Sequence, residues 1–116
     1  MTHMTAAAFR KLALAQPHAV EGSHMGHADF RVGGKVFASL GPEEDWAMIK
    51  LPPDEQADLI GEGDGPYQPA SGAWGVRGCT IITLRRAGEA KVRRAVAAAW
   101  RHVAPKRLVK DANARE

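Results

Sequence analysis

Two periods of hydrophobic and polar alternation succeed one another along this chain. A helical period comes first: behind Thr5, a residue suited to an N-cap, Phe9, Leu12 and several alanines recur on one face, and Pro17 ends a helix that the spacing carries to about Gln16. The period then drops to two. Val20 to Met25 reads as a short strand, and His27 to Val32 alternates with Ala28, Phe30 and Val32 on one side and His27, Asp29 and Arg31 on the other. Gly33-Gly34 suits a tight hairpin turn into Lys35 to Leu40, which is expected to carry Val36, Ala38 and Leu40 inward. After a turn at Gly41 to Glu44, the stretch Asp45 to Leu51 sets Ala47, Ile49 and Leu51 against Trp46, Met48 and Lys50. The expected arrangement is an antiparallel meander.

Pro53 followed by Asp54 and Glu55 marks the start of a short helix, with carboxylates beside the positive end of its dipole, and Gly61 stops it. Gly61 to Pro66 reads as a loop, and Tyr67 to Gly78 as irregular or short extended structure around Trp74. Thr80 to Arg85 restores alternation as a last strand, with Thr80, Ile82 and Leu84 against Ile81, Thr83 and Arg85. From about Gly88 to Val103 the spacing is helical again, with Val92, Val96, Ala99, Trp100 and Val103 on one face and Lys91, Arg94 and Arg101 on another. Pro105 terminates it, leaving a polar tail from Lys106 to Glu116. The fold class expected is α+β: an antiparallel meander with an N-terminal and a C-terminal helix packed on it, forming one domain over 1–116 with loose ends at 1–4 and 111–116.

Composition narrows the classes. In 116 residues, 45% hydrophobic and 25% charged positions describe an ordinary folded domain. No apolar run approaches the roughly 20 residues that span a bilayer, and the first residues lack the pattern of a secretory leader. One cysteine, Cys79, forms neither an internal disulfide nor a multi-thiolate zinc site. The expectation is a cytoplasmic monomer with no membrane partner and no cofactor.

Charge is polarised along the chain. Glu43 to Asp64 holds eight carboxylates against Lys50 alone, whereas Arg77 to Lys110 holds ten cations against Glu89 alone. Either the two segments lie against each other, or the cations face outward toward a polyanion. For the second case Arg77, Arg85, Arg86, Arg94, Arg101, Lys106 and Arg107 are the phosphate-gripping candidates, with Lys35 and Lys50 adding from the sheet, because guanidinium groups bind phosphate by a planar two-point geometry.

Catalytic signatures are lacking, and the chain is not expected to be an enzyme. His24, His27 and Asp29 could offer two imidazoles and a carboxylate to a metal, with Gly26 turning the chain to bring the histidines together, but a metal site needs further convergent donors. Residues in a turn and strand that hydrogen-bond to each other and to Arg31 explain the same pattern, so no metal is assigned. Arg77 lies near Cys79, yet an inert, partly buried thiol is the expected state. The glycines at Gly61 to Gly65 follow a helix and carry Glu62 and Asp64, which excludes a phosphate loop. A patch of His24, His27, Arg31 and Trp74 is the alternative site, for a small ligand or a protein.

The stretches FRKLALAQPHAVEGSHMGHADFRV (Phe9 to Val32), GKVFASLG (Gly34 to Gly41), SGAWGVRG (Ser71 to Gly78) and AWRHVAPKRLVK (Ala99 to Lys110) together resemble the MmcQ/YjbR family of small bacterial proteins. Order and spacing agree over about Phe9 to Lys110, and Glu62 to Ala70 matches least. The resemblance implies an α+β fold of double-wing or CyaY-like type and a double-stranded DNA partner, without family-wide catalytic residues.

Overall fold

The computed structural model describes residues 3–114. Helix α1 (Ala6–Leu14) starts where Thr5 Oγ1 accepts the Ala8 N–H at 3.1 Å. Four strands follow in hairpin succession, β1 (Val20–His24), β2 (His27–Val32), β3 (Lys35–Leu40) and β4 (Trp46–Lys50). Helix α2 (Pro53–Ile60), strand β5 (Tyr67–Pro69), helix α3 (Gly72–Val76), strand β6 (Cys79–Thr83) and a single 3-10 turn (Leu84–Arg86) lead to the long helix α4 (Glu89–Val103) and to α5 (Lys106–Ala114).

All strand pairs are antiparallel, in the order β1-β2-β3-β4-β6-β5. The meander expected from Val20 to Leu51 is formed by the first four strands. β6 pairs directly with β4 and displaces β5 to the edge, because the Ile-rich β6 is the better partner for a central position than the three-residue, proline-ended β5.

One face of the sheet carries the core. Phe30, Ala38, Leu40, Ala47, Ile49 and Ile82 meet Phe9 and Ala13 of α1 and Val92, Val96, Ala99 and Trp100 of α4, all buried. Each large aliphatic or aromatic side chain removed from water this way contributes about 1.5–3 kcal/mol. Trp100 Nε1 donates to the Pro17 carbonyl at 2.9 Å, so α4 is also tied to the end of α1.

Four expectations need correction. Val36 does not point into the core: the register shifts opposite Phe30 and Arg31, so Val36 pairs with Arg31 while Phe37 is fully buried. A bulge of this kind breaks strict two-residue alternation. Within Tyr67 to Gly78, the sequence GAWGV forms helix α3. The strand read as Thr80 to Arg85 instead spans Cys79–Thr83 and gives way to the 3-10 turn, although Thr80, Ile82 and Leu84 are all buried as the alternation required.

Finally, the tail read as polar is helix α5, whose Leu108, Val109 and Ala112 pack against the core. At the other end Met4 is buried, its N–H bonded to the Ala87 carbonyl at 3.1 Å. Of the ends expected to be loose, residues 1, 2, 115 and 116 lie outside the described residues.

A candidate ligand cleft on the open sheet face

Strand alternation that buries one face leaves the other with an unusual composition, because the outward positions of β4 and β6 are Trp46, Met48, Cys79 and Ile81 rather than uniformly polar residues. Cross-strand register sorts this face into rows. Asp29, Ser39, Met48 and Ile81 form the middle row. Trp46 faces Thr83 at one end, the end toward which His27 lies two residues before Asp29; Lys50 faces Cys79 at the other. These residues, together with His24, Val36, Ala70, Ser71 and Trp74, line a cleft of about 690 Å³.

Local structure holds each wall. Helix α3 is fastened from behind by Gln56, whose buried Nε2 donates to the carbonyls of Gly75 and Cys79, both at 3.0 Å. Gly78 closes the turn after α3 with φ of +111°, where any Cβ would also overlap the Leu51 carbonyl. Trp74 is thereby presented at the surface with 62% of its area exposed. On the opposite wall the Trp46 indole rests on Gly41, at a position where a Cβ would collide with the ring.

The third wall is the β1–β2 hairpin. Met25 and Gly26 both take positive φ, 50° and 83°, which closes a two-residue turn and sets the His24 and His27 rings 4.5 Å apart, edge to face. His24 Nδ1 lies 2.6 Å from Asp29 Oδ2. In the neutral ring this bond places the proton on Nδ1 and leaves Nε2 as the free acceptor. His27 Nδ1 is buried without a hydrogen-bond partner among the described residues.

Asp29 itself is fully buried and accepts from Arg31 Nε at 2.7 Å and Nη2 at 2.9 Å. The Arg31 guanidinium holds the carboxyl below the usual carboxylate range, burial opposes it, and His24 adds to the lowering. Of the patch expected from sequence, His24, His27 and Trp74 do converge on one cleft. Arg31 is not among the lining residues, since its guanidinium is engaged by Asp29. Asp29 likewise has both oxygens occupied, and among the described residues no group of three or more His, Cys, Asp or Glu is placed to hold a metal.

Cys79, at the Lys50 end, is a buried thiol pushed up by desolvation, with Lys50 and Arg77 pulling the other way. Met48, Ile81 and Ser39 were not singled out from sequence. The available signal was that β4 and β6 are apolar on both faces.

The cations of the basic segment are all exposed but do not share one surface. Arg77 follows α3, on the cleft side of the sheet; Arg85 and Arg86 occupy the 3-10 turn, where Arg86 Nη2 donates to the Asp64 carbonyl at 3.1 Å. Arg94 and Arg101 are exposed on α4, which packs on the opposite face, and Lys106 and Arg107 open α5. Arg94 and Lys91 share a groove with Glu55 and Asp58 of α2, so part of the acidic segment does lie against the basic one. Among the described residues no helix is long and apolar enough to cross a membrane.

The fold is similar to two solved structures. A Deinococcus radiodurans protein, DR2400, described with the DUF419 domain, superposes with a TM-score of 0.76 at 16% identity, over 96% of this chain and 89% of that one. A Pseudomonas syringae protein solved as structural-genomics target PsR293 gives 0.68 at 15% identity, over 86% and 99%. No curated protein matches the chain in sequence. The family model described as YjbR matches residues 14–102, which hold all six strands and nearly all of α4, and the chain belongs to the YjbR family.

Proposed function

We propose that this protein is a non-catalytic binding module that takes a small ligand into the cleft on the open face of its sheet. The observation that carries this reading is the cleft itself: about 690 Å³ of concave space whose walls combine two tryptophans, Met48 and Ile81 with polar positions at His24, His27, Ser39, Lys50, Ser71 and Thr83. That size and mixture are typical of small-molecule sites. Large exposed apolar groups stand at its margin, Trp74 on α3 and Met25, 91% exposed, in the turn between the two lining histidines. The only thiol is buried with its pKa raised, which supports binding rather than nucleophilic chemistry.

A test follows the three indole N–H resonances while neutral and charged bicyclic aromatic fragments are added. Trp46 and Trp74 are expected to shift, and Trp100, which is buried and bonded to Pro17, to stay. Indoles of Trp46 and Trp74 that stay still with every fragment overturn the proposal.

Duplex DNA binding is a second reading, favoured by the exposure of Arg94 and Arg101 along α4 and of Lys106 and Arg107 just beyond it. Were about four of these to neutralise phosphates, affinity would fall roughly a hundredfold between about 50 and 200 mM salt. A mobility-shift series comparing wild type with Arg94→Glu plus Arg101→Glu decides it, since unchanged binding in the double variant removes α4 from the interface.

A further inference from the structure

Charge in the cleft is one-sided. Its described lining residues include Lys50 and two histidines and no aspartate or glutamate. The carboxylate beneath the histidine wall, Asp29, is already engaged by Arg31 and His24. Lys50 occupies the row opposite Cys79, four residues along β4 from Trp46, so the cationic end and the tryptophan–histidine end are about 13 Å apart along the strand. Arg77, two residues before Cys79 in the chain, is exposed and is not among the lining residues.

Resting on the cleft reading, we infer that the ligand is a flat aromatic monoanion, an aromatic carboxylate by class, with its ring on Trp46, Met48 and Trp74 and its carboxylate at Lys50. The apolar side chains supply the affinity for the ring, and the Lys50 ammonium group at one end of the cleft selects the charge and sets the orientation. One lining lysine, without an arginine fork beside it in the cleft, matches a single negative charge better than a phosphate dianion.

The experiment titrates the intact protein with 2-naphthoate, with the neutral isostere 2-naphthylmethanol and with adenosine monophosphate, following the Trp46 and Trp74 indoles. Wild type is expected to bind 2-naphthoate at least about tenfold more tightly than the alcohol, the effect of one charge-assisted bond. Lys50→Gln should remove that preference by weakening 2-naphthoate much more than the alcohol, and Lys50→Arg should restore most of it. Equal binding of acid and alcohol, or a preference that survives in Lys50→Gln, overturns the anion assignment and leaves the cleft reading standing. Tighter binding of the nucleotide than of the naphthoate also overturns it. If none of the three compounds moves Trp46 or Trp74, the cleft reading falls as well.

Discussion

Asp29 and Arg31, two residues apart on β2, form a two-point ion pair whose carboxylate is completely buried while its guanidinium stays partly exposed. The same carboxylate orients His24. The pair therefore acts as the rigid backing of the histidine wall, joining the stability of the hairpin to the shape of the cleft. Gly22 belongs to this arrangement too, since a Cβ there would press on Asp29 Oδ1 and the Arg31 guanidinium.

Because the Asp29 carboxyl is depressed in the folded state, its contribution to stability is present above the unfolded carboxyl's pKa, about 4, and is lost as pH falls through the lower folded value. Urea unfolding of wild type and Asp29→Asn at pH 6 and pH 3 should show the variant less stable at pH 6 and the difference narrowing in acid. Parallel losses in both proteins would contradict the linkage.

Gln56 joins α2 to the carbonyls on either side of the α3–β6 turn. Gln56→Leu leaves two buried carbonyls without that donor and is expected to cost about 1–3 kcal/mol by denaturant titration. Binding of 2-naphthoate should weaken as well, since α3 carries Trp74.

Gly41→Ala places a methyl group against the Trp46 indole. The ring must tilt toward the cleft, so the variant should fold but bind aromatic fragments less tightly than wild type. An unchanged Trp46 environment, read from its indole N–H shift, would show that the ring does not depend on this contact.

Cys79 is expected to resist alkylation, since burial both blocks access and disfavours the thiolate. Iodoacetamide at pH 8 should modify the native protein much more slowly than the urea-unfolded chain. Saturating 2-naphthoate should slow it further, because Cys79 lines the occupied cleft.

Much of the fold was legible because neighbours along the chain decide it. The Thr5 cap, the Gly33-Gly34 turn with both φ positive, the alternation of β2 and β4 and the amphipathic spacing of α4 are local properties, set by backbone sterics and by which side chains avoid water. Gly26, read as the residue that would bring His24 and His27 together, does so with Met25. Helix α3 is too short for its five residues to display a period, and the apolar positions of α5 were masked by the charges between them.

What the chain alone determined was helices α1, α2 and α4, strands β1 to β4, most of the core face and the proximity of two histidines, since each depends on contacts a few residues apart. Tertiary structure decided the insertion of β6 beside β4, the bulge that turns Val36 outward and the spread of the cations over both sides of the sheet. It also decided that Trp46, Lys50 and Trp74 line the same cleft. These depend on pairings between distant segments, where loop-closure entropy, strand register and packing compete and no local pattern records which arrangement has the lowest free energy.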